Sequence, residues 1–193
     1  MAQLFDKYNE EAFKKGITPK TKESIEWFQE IVNNISSVNR KKLLRESEAT
    51  PTPVVGSMFM FFYDPKLKKQ LPYYDRFPLS VIVDKTPGGF LAINLHYLPS
   101  DLRAKFLDGL LDTLNNEDFD ESTRFRITYE YLKSTRKMRY FKPCLKQYLT
   151  KHIEGNMALI KPNDWLIATF LPSEFFAKET KEYVHAQSRK KLR

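Results

Sequence analysis

The sequence predicts an α+β protein, a small bent antiparallel sheet or barrel flanked by N-terminal and C-terminal helices. Three observations predict it. Runs rich in aromatic and β-branched residues at Val54 to Tyr63, Leu79 to Val83 and Phe90 to Leu98 fit a pleated, half-buried surface. Asp64-Pro65, Leu71-Pro72 and Pro87-Gly88-Gly89 separate those runs with turn residues, and Gly88-Gly89 can supply the positive φ of a hairpin. Apolar residues at three- and four-residue spacing appear before and after the sheet, the period of helices that bury one face. The expected organisation is a helical N-terminal arm with a basic linker over 1–48, a sheet or barrel module over 49–98, and a mainly helical part over 99–193 that forms one compact unit with the sheet.

In chain order, Leu4 to Lys15 and Pro19 to Ile35 read as two helices joined at Gly16. Thr18 is placed to cap the second, with Pro19 at its first position, and Ile25, Phe28, Ile31, Val32 and Ile35 make its apolar face. Asn39 to Arg45 carries Arg40, Lys41, Lys42 and Arg45 and reads as a basic linker, either a solvated charge run or an arm on phosphate. Ala49 to Pro53 is then extended, because a residue before proline is pushed out of the helical region. After the sheet, Ser100 is expected to cap a helix whose stripe is Leu102, Phe106, Leu107, Leu110, Leu111 and Leu114. Asn115 to Glu121 is an acidic loop without the glycine and terminal glutamate of a calcium loop. Ser122 opens another expected helix bearing Phe125, Tyr129 and Leu132. Pro143 is expected to start a helix with Cys144, Leu145, Tyr148 and Leu149 inward, and Gly155 to end it. Ala158 to Ile160 reads as a short strand, Trp165 to Leu171 as buried, and Phe175, Phe176, Tyr183 and Val184 as the face of a last helix. Ser188 to Arg193 reads as a basic tail that orders on an anionic partner.

With 193 residues, 41% of them apolar, the chain can bury a core. No apolar run approaches the roughly 20 residues of a membrane span, and Met1 to Asn9 has no signal-peptide core, so no membrane contact is expected. A single cysteine, Cys144, excludes an internal disulfide and reads as a small buried hydrophobe. Lys and Arg outnumber Asp and Glu by 32 to 24, a net charge of +8, which attracts polyanions without specifying which. That charge is concentrated in Tyr131 to Ile153, which holds Lys133, Arg136, Lys137, Arg139, Lys142, Lys146 and Lys151 with no acidic residue, interleaved with Tyr131, Tyr140, Phe141 and Tyr148. Cations neutralise phosphates and aromatic rings stack on exposed bases, so the combination suits nucleic acid; packing of the same aromatics into the core is the competing reading.

No active-site pattern emerges. His96, His152 and His185 have no metal-ligand spacing, and there is no phosphate loop, nucleophile elbow or paired-cysteine motif. The enzyme alternative is a metal-dependent nuclease using Asp84 and Lys85 with Asp64 or Asp75; a duller role for Asp75 and Arg76 is a salt-bridged turn between Pro72 and Pro78. Neither a cofactor nor a metal is expected.

Leu71-Pro72-Tyr73-Tyr74-Asp75-Arg76-Phe77-Pro78, Gly88 to Pro99 and Tyr140-Phe141-Lys142-Pro143-Cys144 together resemble the DNA end protectors of T-even-type tailed bacteriophages, over about Trp27 to Phe176. The resemblance implies a non-enzymatic virion protein that binds the termini of packaged double-stranded DNA and shields them from exonuclease, in the virion and the host cytoplasm. On that reading the phosphate contacts are Lys133, Arg136, Lys137, Arg139, Lys142 and Lys146, with Arg40, Lys41 and Lys42 as an accessory arm. Tyr140 or Phe141 is the first stacking candidate, and Tyr73 and Tyr74 the second, with packing against the sheet as their alternative. The rival function is a structural or assembly protein of the phage neck, head-tail junction or baseplate, whose partners are the portal, the neck or other virion proteins. Oligomerisation is compatible with both.

Overall fold

A computed structural model describes residues 4–18, 21–50, 52–114, 127, 129–134 and 142–191. Its centre is a six-stranded, wholly antiparallel sheet in the order β1-β7-β2-β4-β5-β6. The strands are β1 (Glu48–Thr50), β2 (Met58–Tyr63), β4 (Leu79–Thr86), β5 (Gly89–Asn94), β6 (Leu145–Leu149) and β7 (Ile153–Ile160), while β3 (Tyr74–Asp75) pairs separately with β8 (Phe176–Ala177). The helices are α1 (Leu4–Lys14), α2 (Lys22–Asn33), α3 (Arg40–Glu46), α4 (Ser100–Leu114), α5 (129–134), α6 (Trp165–Phe170) and α7 (Lys181–Lys191).

The α+β class and the bent sheet are as expected, but the sheet is open rather than a closed barrel. Its bend has a local origin. Register shifts between Met60 and Phe62 and between Ile82 and Asp84 mark bulges, which increase strand twist. The sheet therefore curls until β2 meets β6: the Leu149 N–H donates to the Tyr63 hydroxyl at 3.2 Å, although two strands lie between them. Alternation along each strand divides the core in two. Met58, Met60, Val81, Val83 and Ile93 face the helices, where every residue of α6 is buried. Phe59, Phe61, Ile82, Phe90 and Tyr148 fill the inside of the curl, with Phe61 edge-on to Phe90 at 5.9 Å and to Tyr148 at 5.2 Å.

Several local expectations are corrected. The cap of α2 is Thr21, not Thr18: Thr21 and Ser24 form a reciprocal capping box. Residues 39–45 are not a linker, because Asn39 accepts from the Lys42 N–H at 3.0 Å and starts α3. Pro99 rather than Ser100 holds the cap position of α4, its carbonyl accepting from Leu102 and Arg103. The expected helix from Pro143 is strand β6, in register with β5 from Gly89↔Leu149 to Ile93↔Leu145. Glycine makes that pairing feasible, since a Cβ at Gly89 would lie 1.9 Å from the Tyr148 carbonyl oxygen. Gly155, at φ 77°, does not end a helix but bends β7. Phe175 and Phe176 precede the last helix, and the basic tail is ordered as α7 up to Lys191. Cys144 is buried as expected, and burial pushes its thiol up to about 12. The acidic loop at 115–121 and the Ser122 cap lie outside the described residues.

Candidate nucleic-acid interface

A buried polar core ties the two halves of the chain together. Asp75 follows Tyr74 in a two-residue strand, and its Oδ1 accepts from the Phe77 N–H at 3.0 Å, the local turn that short acidic side chains favour. Its Oδ2 lies 2.7 Å from His96 Nδ1 and accepts from Asn94 Nδ2 at 3.0 Å. His96 Nε2 in turn lies 3.0 Å from Ser173 Oγ. The neighbouring His96 holds the Asp75 carboxyl below its usual range despite complete burial. This is not the salt-bridged turn expected of Asp75 and Arg76: Arg76 instead covers the ring of Phe175 at 5.0 Å.

Asp75, His96 and Ser173 have the order of contacts of an orienting acid, a base and a nucleophile. Their burial gives them another role. His96 and Ser173 are 0% exposed and Asp75 is 3% exposed, so the hydroxyl is closed to a substrate and the trio instead clamps residues 173–175 to the sheet. Arg103, 2% exposed, completes the clamp by donating to the carbonyls of Leu98 at 2.7 Å and Thr169 at 3.0 Å and pairing with the Glu174 carboxylate. The carboxylates of the nuclease alternative are dispersed in the same way: Asp75 is in this core, and Asp64 pairs with Lys68 at 2.7 Å. Among the described residues no three His, Cys, Asp or Glu side chains come together to hold a metal.

Beside this core, a row of side chains runs from half-buried Lys146 through buried Tyr97, 4% exposed, and half-buried Tyr73 out to exposed Tyr183. Lys146 Nζ lies 4.0 Å from the centre of the Tyr97 ring, Tyr97 is 6.1 Å from Tyr73, and Tyr73 is 6.2 Å and edge-on to Tyr183 of α7. Burial, with a smaller contribution from Lys191 at the end of α7, lowers Lys146 to about 8. Such a cation is stabilised by any anion that settles beside it.

A family model described as Phage T4 terminal DNA protecting protein matches residues 3–192. The chain belongs to that family. No curated protein and no solved structure matches it.

For a terminal DNA protecting protein, where the expected contacts lie matters more than their number. Lys146 and Tyr73 belong to the row just described. Lys142 is exposed at the entry to β6, while Lys133 lies over the Tyr129 ring at 5.1 Å on α5. Lys41 and Lys42 are exposed on α3, Lys42 with Glu46 at 3.7 Å. Arg40 is turned inward: its Nε donates to the Ser173 carbonyl at 2.8 Å and its guanidinium lies 4.8 Å from the centre of the Phe175 ring. Tyr74 is half-buried in β3, paired with Ala177. Arg136, Lys137, Arg139, Tyr140 and Phe141 lie outside the described residues.

Sequence reasoning missed α7 as part of this surface. The helix places Lys181, His185 and Arg189 four residues apart on one flank and Tyr183 toward Tyr73. The expected last helix with Tyr183 and Val184 is present, and Ser188, buried one turn after Val184, carries it on through residues read as a tail.

Proposed function

We propose that the protein binds the ends of double-stranded DNA through a basic, aromatic surface and thereby denies exonuclease the free terminus, without chemistry of its own. Membership of the terminal DNA protecting family over 3–192 carries this reading. Half-buried Lys146 and Tyr73, packed on buried Tyr97, with exposed Tyr183 and Lys191 beside them, give the surface a physical basis. Phosphates lie against Lys133, Lys142, Lys146 and Lys191 and against Arg136, Lys137 and Arg139, and Tyr183, 45% exposed, covers the terminal base pair. Occlusion follows from position: an enzyme that must thread a free strand meets a protein face instead.

Phosphate contacts displace condensed counterions, so about six of them lower affinity roughly a thousandfold between about 50 and 200 mM salt. Contacts to backbone and ring faces carry no base-edge information, so binding is sequence-independent. The test is competition between a blunt linear duplex and a closed circle of the same sequence at two salt concentrations. Preference for the linear duplex supports end binding, and equal binding sinks it.

One observation favours a second reading, assembly at the phage neck, head-tail junction or baseplate. Phe13 is 84% exposed beside a groove lined by Ala12, Ile17, Phe28 and Leu166, the kind of apolar surface used against proteins. On this reading the protein binds neither DNA form at physiological salt, and Phe13→Ser abolishes association with a virion component. Both readings place the protein in the virion and the host cytoplasm, and among the described residues no helix is long and apolar enough to cross a membrane.

A further inference from the structure

A cleft of about 450 Å³ opens between the start of α4 and the outer flank of α7. Ser100, Arg103, Glu174, Lys181, His185 and Arg189 line it. Its volume is in the range of roughly 300–1,000 Å³ typical of small-ligand sites. Resting on the reading that the protein binds DNA ends, we infer that this cleft takes the terminal phosphate monoester of the DNA strand, which lies against Lys181, Arg189 and the first turn of α4.

The charges of the cleft point to such a ligand. At its floor, Glu174 is neutralised by Arg103 and is not available to repel an anion. Lys181 stands exposed at the rim, with no acidic partner among the described residues. Arg189 pairs with Asp101 at 2.7 Å, but both side chains are more than half exposed, at 56% and 52%. Exposed pairs of that kind contribute little, so Arg189 exchanges Asp101 readily for a phosphate that can accept two parallel hydrogen bonds. The N–H of Ser100, which lines the cleft, has no acceptor within α4, whose first hydrogen-bonded positions are Leu102 and Arg103 on the Pro99 carbonyl. It adds a donor beside the two side-chain cations.

A terminal monoester suits this site better than an internal diester. It carries a charge of about −1.5 to −2 and three non-bridging oxygens, against about −1 and two for a diester. Only a strand end presents that group, so the cleft would distinguish a strand end from continuous backbone. Its position supports the arrangement, because α7 separates the cleft from the Tyr183 side: one helix can hold the phosphate on one flank and the last base pair on the other.

The experiment uses the full chain and a DNA hairpin with one blunt end bearing either a 5′-phosphate or a 5′-hydroxyl. Two charge-assisted contacts predict about tenfold tighter binding of the phosphorylated end. In Lys181→Ala/Arg189→Ala that ratio falls to about one, whatever happens to overall affinity, and a melting curve verifies folding. Equal affinity of the parent protein for the two ends, or a ratio that survives the double substitution, overturns the inference. If the parent binds neither hairpin, DNA-end binding itself fails, and a second arm judges the cleft alone. There, a 5′-deoxynucleoside monophosphate raises the melting temperature of the parent and not of the double variant, while the nucleoside raises neither. Absence of that difference overturns the cleft as a phosphate site, and its presence makes a free nucleotide rather than a DNA end the source of the phosphate.

Discussion

Replacing Asp75 by Ala perturbs the centre of the fold, and its cost can be worked from the contacts. The carboxylate accepts from Phe77 N–H at 3.0 Å, Asn94 Nδ2 at 3.0 Å and His96 Nδ1 at 2.7 Å, and it is 3% exposed. Asn94 keeps a partner in the Tyr148 hydroxyl at 2.9 Å, whereas Phe77 and His96 lose theirs in a dry interior and the half-buried Phe175 N–H loses a longer contact at 3.4 Å. Two stranded buried donors at about 1–3 kcal/mol each give a loss near 4 kcal/mol, a large part of the roughly 5–15 kcal/mol that holds a domain folded. With a urea slope of about 2 kcal/mol per molar, the unfolding midpoint moves down by about 2 M. A double-mutant cycle with His96→Ala isolates the pair and should show a coupling above about 1 kcal/mol. A shift below about 0.5 kcal/mol for Asp75→Ala, or an additive cycle, would refute the claim that this network clamps residues 173–175 to the sheet.

Three further outcomes follow from other sites. Arg103 holds the Glu174 carboxyl at about 2 against an ordinary 4.5, outweighing the effect of burial, so its stabilisation is complete above 4.5 and is lost as pH falls toward 2. The loss is of order 3 kcal/mol, and Glu174→Gln should flatten stability measured over that window. In Lys146 it is the charged form that folding disfavours: with its ammonium lowered from 10.5 to about 8, stability should again rise with pH between those values, and Lys146→Met should be more stable than the parent at pH 7 yet bind duplex ends less tightly. Gly89→Ala places a Cβ 1.9 Å from the Tyr148 carbonyl and should cost more than the roughly 1–2 kcal/mol expected of Gly88→Ala, where φ is 74° but the space is open. Denaturant midpoints of the two variants decide the order.

Strands β2, β4 and β5 were legible because their signal is local: alternating aromatic and β-branched residues, and a Gly88-Gly89 turn that fixes which strand pairs with which. β6 was not. Leu145, Tyr148 and Leu149 fit one face of a helix as well as they fit a strand, and the open edge of β5, more than fifty residues earlier, decided the outcome. Arg40 shows the limit for charge. Composition places it with Lys41 and Lys42, but α3 turns its guanidinium onto the carbonyls of Ser173 and Glu174 and leaves the two lysines outside. The polar core could not be read either, since Asp75, His96 and Ser173 are joined by the topology and have no motif spacing. Of the candidate interface, the basic and aromatic composition around Lys146 was legible, while its continuation along α7 needed Ser188 to be recognised as continuing the buried face begun at Val184.

Protection of a linear duplex from an end-dependent exonuclease tests the central claim most directly. The assay titrates the full chain at two salt concentrations, with a nicked circle and an endonuclease as the control for general coating. End occlusion predicts that the linear duplex survives at low salt while the circle is cut at the unprotected rate. Changing Arg136, Lys137, Arg139 and Lys146 to Ala should remove the protection. Equal shielding of both DNAs, or none of the linear one at a concentration that saturates binding, would contradict the account and favour an assembly role.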